Sequence, residues 1–288
     1  MIRFLETFDR RIVFLLMGLA VAIPLLAQIS FPEVAGQHAR ATFDAIDSLP
    51  SGSKLLFSFD YDPASEGELK PMAEALVYHA ASKGHKLYFM SLWPAGAAKA
   101  KETINHILKA HFPSYVYGTD YMQLGFKAGN ETVIKLIVTD LAKPFPNDEL
   151  GTPLAKIPMM AGVDDIRAMD LAVVISAGDP GSKQWAQYYV AAYPSEKLVT
   201  GTTGVQSVSL YPYIPQQIVG MLGAIKGAAE YETLVNEKYP LQTSRGPEKF
   251  LVEGQRRMAP QLTAHLLMVA LIILGNVVQF ARKREGKR

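Results

Sequence analysis

Residues 54–92 read K-L-L-F-S-F-D-Y-D-P-A-S-E-G-E-L-K-P-M-A-E-A-L-V-Y-H-A-A-S-K-G-H-K-L-Y-F-M-S-L. The apolar run at 54–61 predicts a buried strand. Residues 66–82 predict a helix, because Leu69, Ala73, Leu76, Val77 and Ala80 recur on one face and Gly84 ends it. The second apolar run, at 85–92, predicts another strand. Strand, helix and strand in that order form the repeating unit of a parallel sheet.

The alternation continues outward. Helices are expected at 95–110, 130–141, 182–192 and 215–232. Strands are expected at 114–118, 170–177 (D-L-A-V-V-I-S-A) and 197–203. The fold class that follows is α/β, a mostly parallel Rossmann-like sheet with helices on both faces. The α/β domain is placed at 54–235. Residues 33–53 are read as a stalk that begins helical and breaks at P-S-G-S, and 236–257 as a linker.

Four stretches resemble a group of uncharacterised prokaryotic membrane-anchored α/β proteins. They are F-D-Y-D-P-A-S-E-G-E-L (59–69), G-F-K-A-G (125–129), S-A-G-D-P-G (176–181) and P-Q-Q-I-V-G-M-L-G-A-I-K-G-A-A-E-Y-E (215–232). The resemblance covers most of the body. It implies the architecture and carries no mechanism.

Both ends read as membrane segments. Residues 12–32 carry no charge and include I-V-F-L-L-M-G-L-A-V-A-I-P-L-L-A, apolar on every face. About 20 such residues span ~30 Å of hydrocarbon. The stretch is long for a signal-peptide core, so an uncleaved anchor is expected. Residues 258–281 carry no formal charge and centre on L-L-M-V-A-L-I-I-L. The tail at 282–288, R-K-R-E-G-K-R, and the flank at 1–11 with Arg3, Arg10 and Arg11 predict that both termini are cytoplasmic. The body then lies on the far side, with Arg256 and Arg257 as the opposing signal. The lipid bilayer is thus an expected partner.

Of 288 residues, 49% are hydrophobic and 19% charged, which excludes a disordered chain. A net charge of +2 disfavours nucleic acid as a partner. Without cysteine there is no thiol catalysis and no Cys-ligated metal. His38, His79, His85, His106, His111 and His265 form no H-x-x-x-H pair, so no metal site is assigned. No nucleotide-loop pattern appears either, and no cofactor is implied.

In an open parallel sheet, ligands sit beyond the carboxyl ends of the strands. The candidates there are Asp60 and Asp62 for catalysis. For ligand binding they are Ser91, Gly178, Asp179, Gly181, Ser182, Thr202, Thr203, Tyr213 and Gln216. Asp60-x-Asp62 after an apolar strand resembles the first motif of haloacid-dehalogenase-type phosphatases, in which one Asp attacks phosphorus and the next acts as acid/base. Ser91 suits the second motif. The late acidic pair is missing, since Asp179 stands alone with Lys183 nearby. The competing reading makes Asp60 and Asp62 caps of the following helix, and Asp179 or Ser182 a cap of the next. Gly220, Gly223 and Gly227 read as a small-residue row on one helix, which would admit a partner backbone or a second copy.

The functional expectation is a non-enzymatic, membrane-anchored α/β domain that binds a ligand or scaffolds a membrane protein complex. The alternative is a metal-dependent phosphohydrolase or transferase using Asp60 and Asp62.

Overall fold

The computed structural model describes residues 9–244 and 246–285, with side chains up to residue 280. The expected cytoplasmic flanks therefore lie largely outside the described residues. The chain divides into two units, residues 32–254 and residues 1–31 with 255–288.

In the first unit, helix α2 (Gln37–Asp47) precedes strand β1 (Lys54–Asp60), helix α3 (Glu66–Ser82) and strand β2 (Lys86–Ser91). Helix α4 (96–111) changes to π-type hydrogen bonding at Ile104–Leu108. Then come β3 (Tyr121–Phe126), α5 (Glu131–Ile137), β4 (Leu171–Ser176) and α6 (182–190). The last part comprises β5 (Leu198–Thr202), α7 (Gly204–Leu210), β6 (Gly220–Gly223), α8 (Ala224–Lys238) and the small hairpin of β7 (Gln242–Thr243) and β8 (Gly246–Pro247).

The six main strands are all parallel, in the order β3-β2-β1-β4-β5-β6. That is the doubly wound order, whose topological switch falls between β1 and β4. Successive strand residues point to opposite faces. Leu55, Phe57, Phe59, Phe89, Val173 and Ile175 pack with α2, α3, α4 and α8. Leu56, Tyr88, Met90, Val174 and Leu198 pack with α5, α6 and the irregular segment around 154–169. Each such buried aliphatic or aromatic side chain contributes ~1.5–3 kcal/mol. Burial on both faces is why these strands read as continuous apolar runs.

Several expectations are corrected. The strand expected at 114–118 is a turn. Gly118 takes φ +78°, and the amides of Thr119 and Asp120 both donate to the Val116 carbonyl. The strand follows three residues later as β3. The helix expected over 215–232 is two elements. Gly220–Gly223 is the edge strand β6, and helix begins only at Ala224. Glycine is a poor helix former, and Met221 and Leu222 point to opposite faces as strand residues do. The stretch at 33–53 is no free stalk, because α2 buries Ala39, Thr42, Phe43 and Ile46 in the body. The end of α8 falls within the expected linker, as do the buried Phe250 and Leu251.

In the second unit, helix α1 (Arg10–Leu26) has 17 residues. At ~1.5 Å per residue it is about 25 Å long, short of a ~30 Å hydrocarbon core. The expected span at 12–32 is therefore interrupted. Gln28 takes φ +51°, and residues 27–32 leave the helix. Among the described residues one helix is long and apolar enough to cross a membrane, Glu253–Phe280 of helix α9 (Glu253–Glu285). The Thr263 hydroxyl lies 2.6 Å from the Ala20 carbonyl, to which it donates. Asn276 donates to Ile272 of its own helix, 2.9 Å away.

Candidate functional site

β1 ends on Asp60 because the run of apolar residues stops there, at the centre of the sheet's carboxyl edge. Asp60, Ser176 and Thr202 stand in register across β1, β4 and β5. All three side chains fall on the face covered by α6. Asp60 is fully buried. Its Oδ1 accepts the Leu92 backbone N–H and its Oδ2 accepts the Ser58 hydroxyl, each at 2.7 Å. Burial raises its pKa to about 7, against the opposing pull of the Leu92 amide, Ser58 and Trp185. The Trp185 indole N–H lies on the Asp60 side yet outside hydrogen-bond geometry, and it has no other partner.

Beside Asp60 runs a closed chain of hydroxyls. The Ser182 amide donates to Ser176 Oγ at 3.1 Å, and the Ser176 and Ser182 hydroxyls are 2.7 Å apart. Ser182 bonds Thr200, which donates to the Val174 carbonyl at 3.0 Å. The Gly181 amide is taken by Gln184 Oε1 at 2.9 Å. The glycine loop at 176–182 thus spends its first amides on its own side chains. Gly181 has a steric reason as well, since a Cβ there would lie 2.4 Å from the Gly178 carbonyl oxygen and 2.6 Å from Ser176 Cβ. Thr202 Oγ1 is buried without a partner.

Above this layer Trp93 closes the switch point. Its indole N–H donates to the Pro180 carbonyl at 2.7 Å, and its ring lies over Gly178. Ser91 holds that turn, with Oγ 2.6 Å from the Phe59 carbonyl and accepting the Trp93 amide at 2.9 Å. Asp62 caps the turn into α3, accepting the Ser65 amide at 3.2 Å. The next acids reach across the surface. Glu66 pairs with Lys99 at 2.8 Å, and Glu68 accepts the Gly204 amide at 2.9 Å.

The carboxyl edge therefore gathers Asp60, Asp62, Ser91, Gly178, Asp179, Gly181, Ser182, Thr202 and Thr203. Asp179 is exposed and Thr203 buried. Tyr213 and Gln216 do not belong with them. They lie in the segment entering β6 from its amino end, where the Val219 amide meets the first residue of β5. Tyr213 instead takes a hydrogen bond from Gln187 at 2.7 Å.

The glycine row also separates. A Cβ at Gly220 would lie 2.4 Å from the Thr42 nitrogen, and one at Gly227 would lie 2.7 Å from the Leu222 carbonyl carbon. Both glycines serve close packing inside the body. Gly223 faces Ser207 with more room, 3.3 Å to its Cβ.

Sequence reasoning missed Ser58, Trp185 and the hollows. Ser58 was legible as the one polar residue inside an apolar strand. The hollows lie elsewhere. One of about 430 Å³ is lined by Thr139, Asp140, Leu154, Met160, Val163 and Asp164. Another of about 320 Å³ is lined by His38, Tyr211, Met221, Gly223, Lys226 and Glu230. Among the described residues no three His, Asp or Glu side chains are grouped to hold a metal ion. Compared with known proteins, the chain matches no family model and no curated protein.

Proposed function

We propose that this chain is a membrane-anchored, non-enzymatic α/β domain that scaffolds a membrane protein complex. The observation that carries the reading is the closed switch point. At the place where this sheet order normally receives a ligand, Asp60 is buried with both oxygens engaged. An attacking carboxylate needs an oxygen that the substrate can reach, and Asp60 is shut away from solvent. Asp62 serves as a cap.

In the same proposal α9 is the principal anchor, and the apolar α1 region is a second membrane segment held to it. Both termini are cytoplasmic and the body is extracytoplasmic, as the basic flanks favour, which requires α1 and the extended residues 27–32 after it to cross together. The partner is a membrane protein or a second copy of the chain. The 430 Å³ hollow supports a second reading, in which the body also holds a small molecule.

The test is purification of the full chain from mild detergent, with mass spectrometry of what remains bound and an assay for divalent-metal-dependent turnover of phosphate esters. A stoichiometric membrane protein and no turnover are expected. Turnover that Asp60→Asn abolishes, with the melting temperature not lowered, would overturn the proposal in favour of the hydrolase.

A further inference from the structure

The body carries an exposed apolar row that its own core does not use. On α7 and its C-cap, Val205, Val208 and Tyr211 recur every third residue and are 88%, 70% and 53% exposed. The helix segment G-V-Q-S-V-S-L bears no charge. Tyr211 reaches back to α2, where its ring centroid lies 6.0 Å from that of His38. Four residues before His38, Val34 is 84% exposed.

This row lies beside the point where the chain enters the body. Near the entry, the Gly36 amide donates to Glu230 Oε2 at 3.2 Å. At the exit, the Gly254 amide donates to Glu232 Oε1 at 2.7 Å. The two carboxylates are two residues apart on α8, so entry and exit are pinned to opposite sides of one helix. The hollow shared by Gly36, Tyr211, Gly223 and Glu230 joins that helix to the end of α7. The entry, the hollow and α7 belong to the β6 edge of the sheet, against which α2 packs through Gly220 and Thr42. From Gly254 only four residues lead to Met258, where the apolar run of α9 begins, a rise of about 6 Å along a helix.

We infer that the body rests its β6 edge on the lipid bilayer, with Val34, Val205, Val208 and Tyr211 in the interface. The inference deepens the proposed function and rests on the anchoring of the chain by α9. A lipid surface fits better than a protein. Four side chains are far below the ~800 Å² per partner of a stable protein interface. A domain already tethered beside the bilayer needs little added contact, because the tether makes the encounter intramolecular. Uncharged apolar side chains with a tyrosine at their margin suit the headgroup boundary.

The absence of cysteine allows single-site labelling of the full chain. Val34→Cys, Val208→Cys and Leu150→Cys each receive an environment-sensitive fluorophore, and the protein is reconstituted in phosphatidylcholine vesicles containing doxyl-labelled lipid. Leu150 is 69% exposed at the far, β3 edge, where the neighbouring Glu149 amide bonds Gln123. Leu274→Cys in α9 reports the anchor itself. Probes at 34 and 208 should be blue-shifted and quenched severalfold more than the probe at 150. Quenching at 208 equal to that at 150 overturns the inference while leaving the anchor, provided position 274 is quenched. Shielding at 208 without lipid quenching, lost on dilution into more lipid, assigns the row to a second copy and also overturns it. An unquenched probe at 274 removes the anchor and the inference together.

Discussion

Asp60→Asn isolates the energetics of the switch point. The buried carboxyl is held up at about 7 from its ordinary 3.8, first by burial and against the hydrogen bonds of Leu92 and Ser58. A raised pKa means that the folded state keeps a proton which the unfolded chain has released. The associated stability is complete below about 3.8 and is lost as the pH rises through about 7. That displacement corresponds to roughly 4 kcal/mol. Asparagine cannot ionise, so the stability of the variant relative to the native chain should improve by up to that amount between pH 4 and pH 8. The fixed local cost, relative to the neutral carboxyl, is that the asparagine amide brings two N–H donors where the protonated acid has one O–H. That cost does not vary with pH and cancels from the trend. For a body of this size ~1 kcal/mol moves the melting temperature by ~2–4 °C, which gives a relative gain of about 8–16 °C. Thermal unfolding of the full chain in mild detergent, followed by circular dichroism at several pH values, reads it directly. A melting-temperature difference that stays flat with pH, or that moves against the variant at high pH, would refute the argument that Asp60 is desolvated.

Three further outcomes are expected. His79, stacked on Phe43 and bonded to Tyr231 at 2.7 Å, has its pKa pushed down to about 4 by burial, with Asp47 opposing. The stability it supports is present above about 6.5 and lost as the pH falls through about 4, so its ring should titrate near 4 by NMR; titration above 6 contradicts this. Gly220→Ala drives a Cβ against the Thr42 backbone and should cost ~1–3 kcal/mol in thermal melts. Gly223→Ala, with 3.3 Å to its nearest neighbour, should cost less, and equal losses would disprove the packing argument. Protease added to intact spheroplasts should digest the body at 32–254, whereas protection until lysis reverses the proposed orientation.

The doubly wound sheet was legible in the residues because its strands are buried on both faces. Continuous apolar runs such as L-A-V-V-I at 171–175 then mark the strands, and α3 shows its buried face at helical spacing. The pairing of β1 with β4 across more than a hundred residues left no local mark, and that pairing brings Asp60 beside Ser176. Sequence alone placed Asp60, Ser91 and Ser182 just beyond strand ends, since strand ends are local. Whether those groups are open or shut depended on Trp93, Trp185 and Ser58 arriving from separate elements, which only tertiary packing decides. The glycines at 220–227 misled for the same reason. Lacking side chains, they announce close approach without naming the neighbour, and Thr42 and Leu222 supply it only once α2 and α8 have packed against β6. The apolarity of α9 needed no fold to be read, because a membrane span depends on the composition of one continuous segment. The end of the first apolar segment at Leu26 was decided by backbone conformation, where Gln28 turns left-handed and the helix stops short.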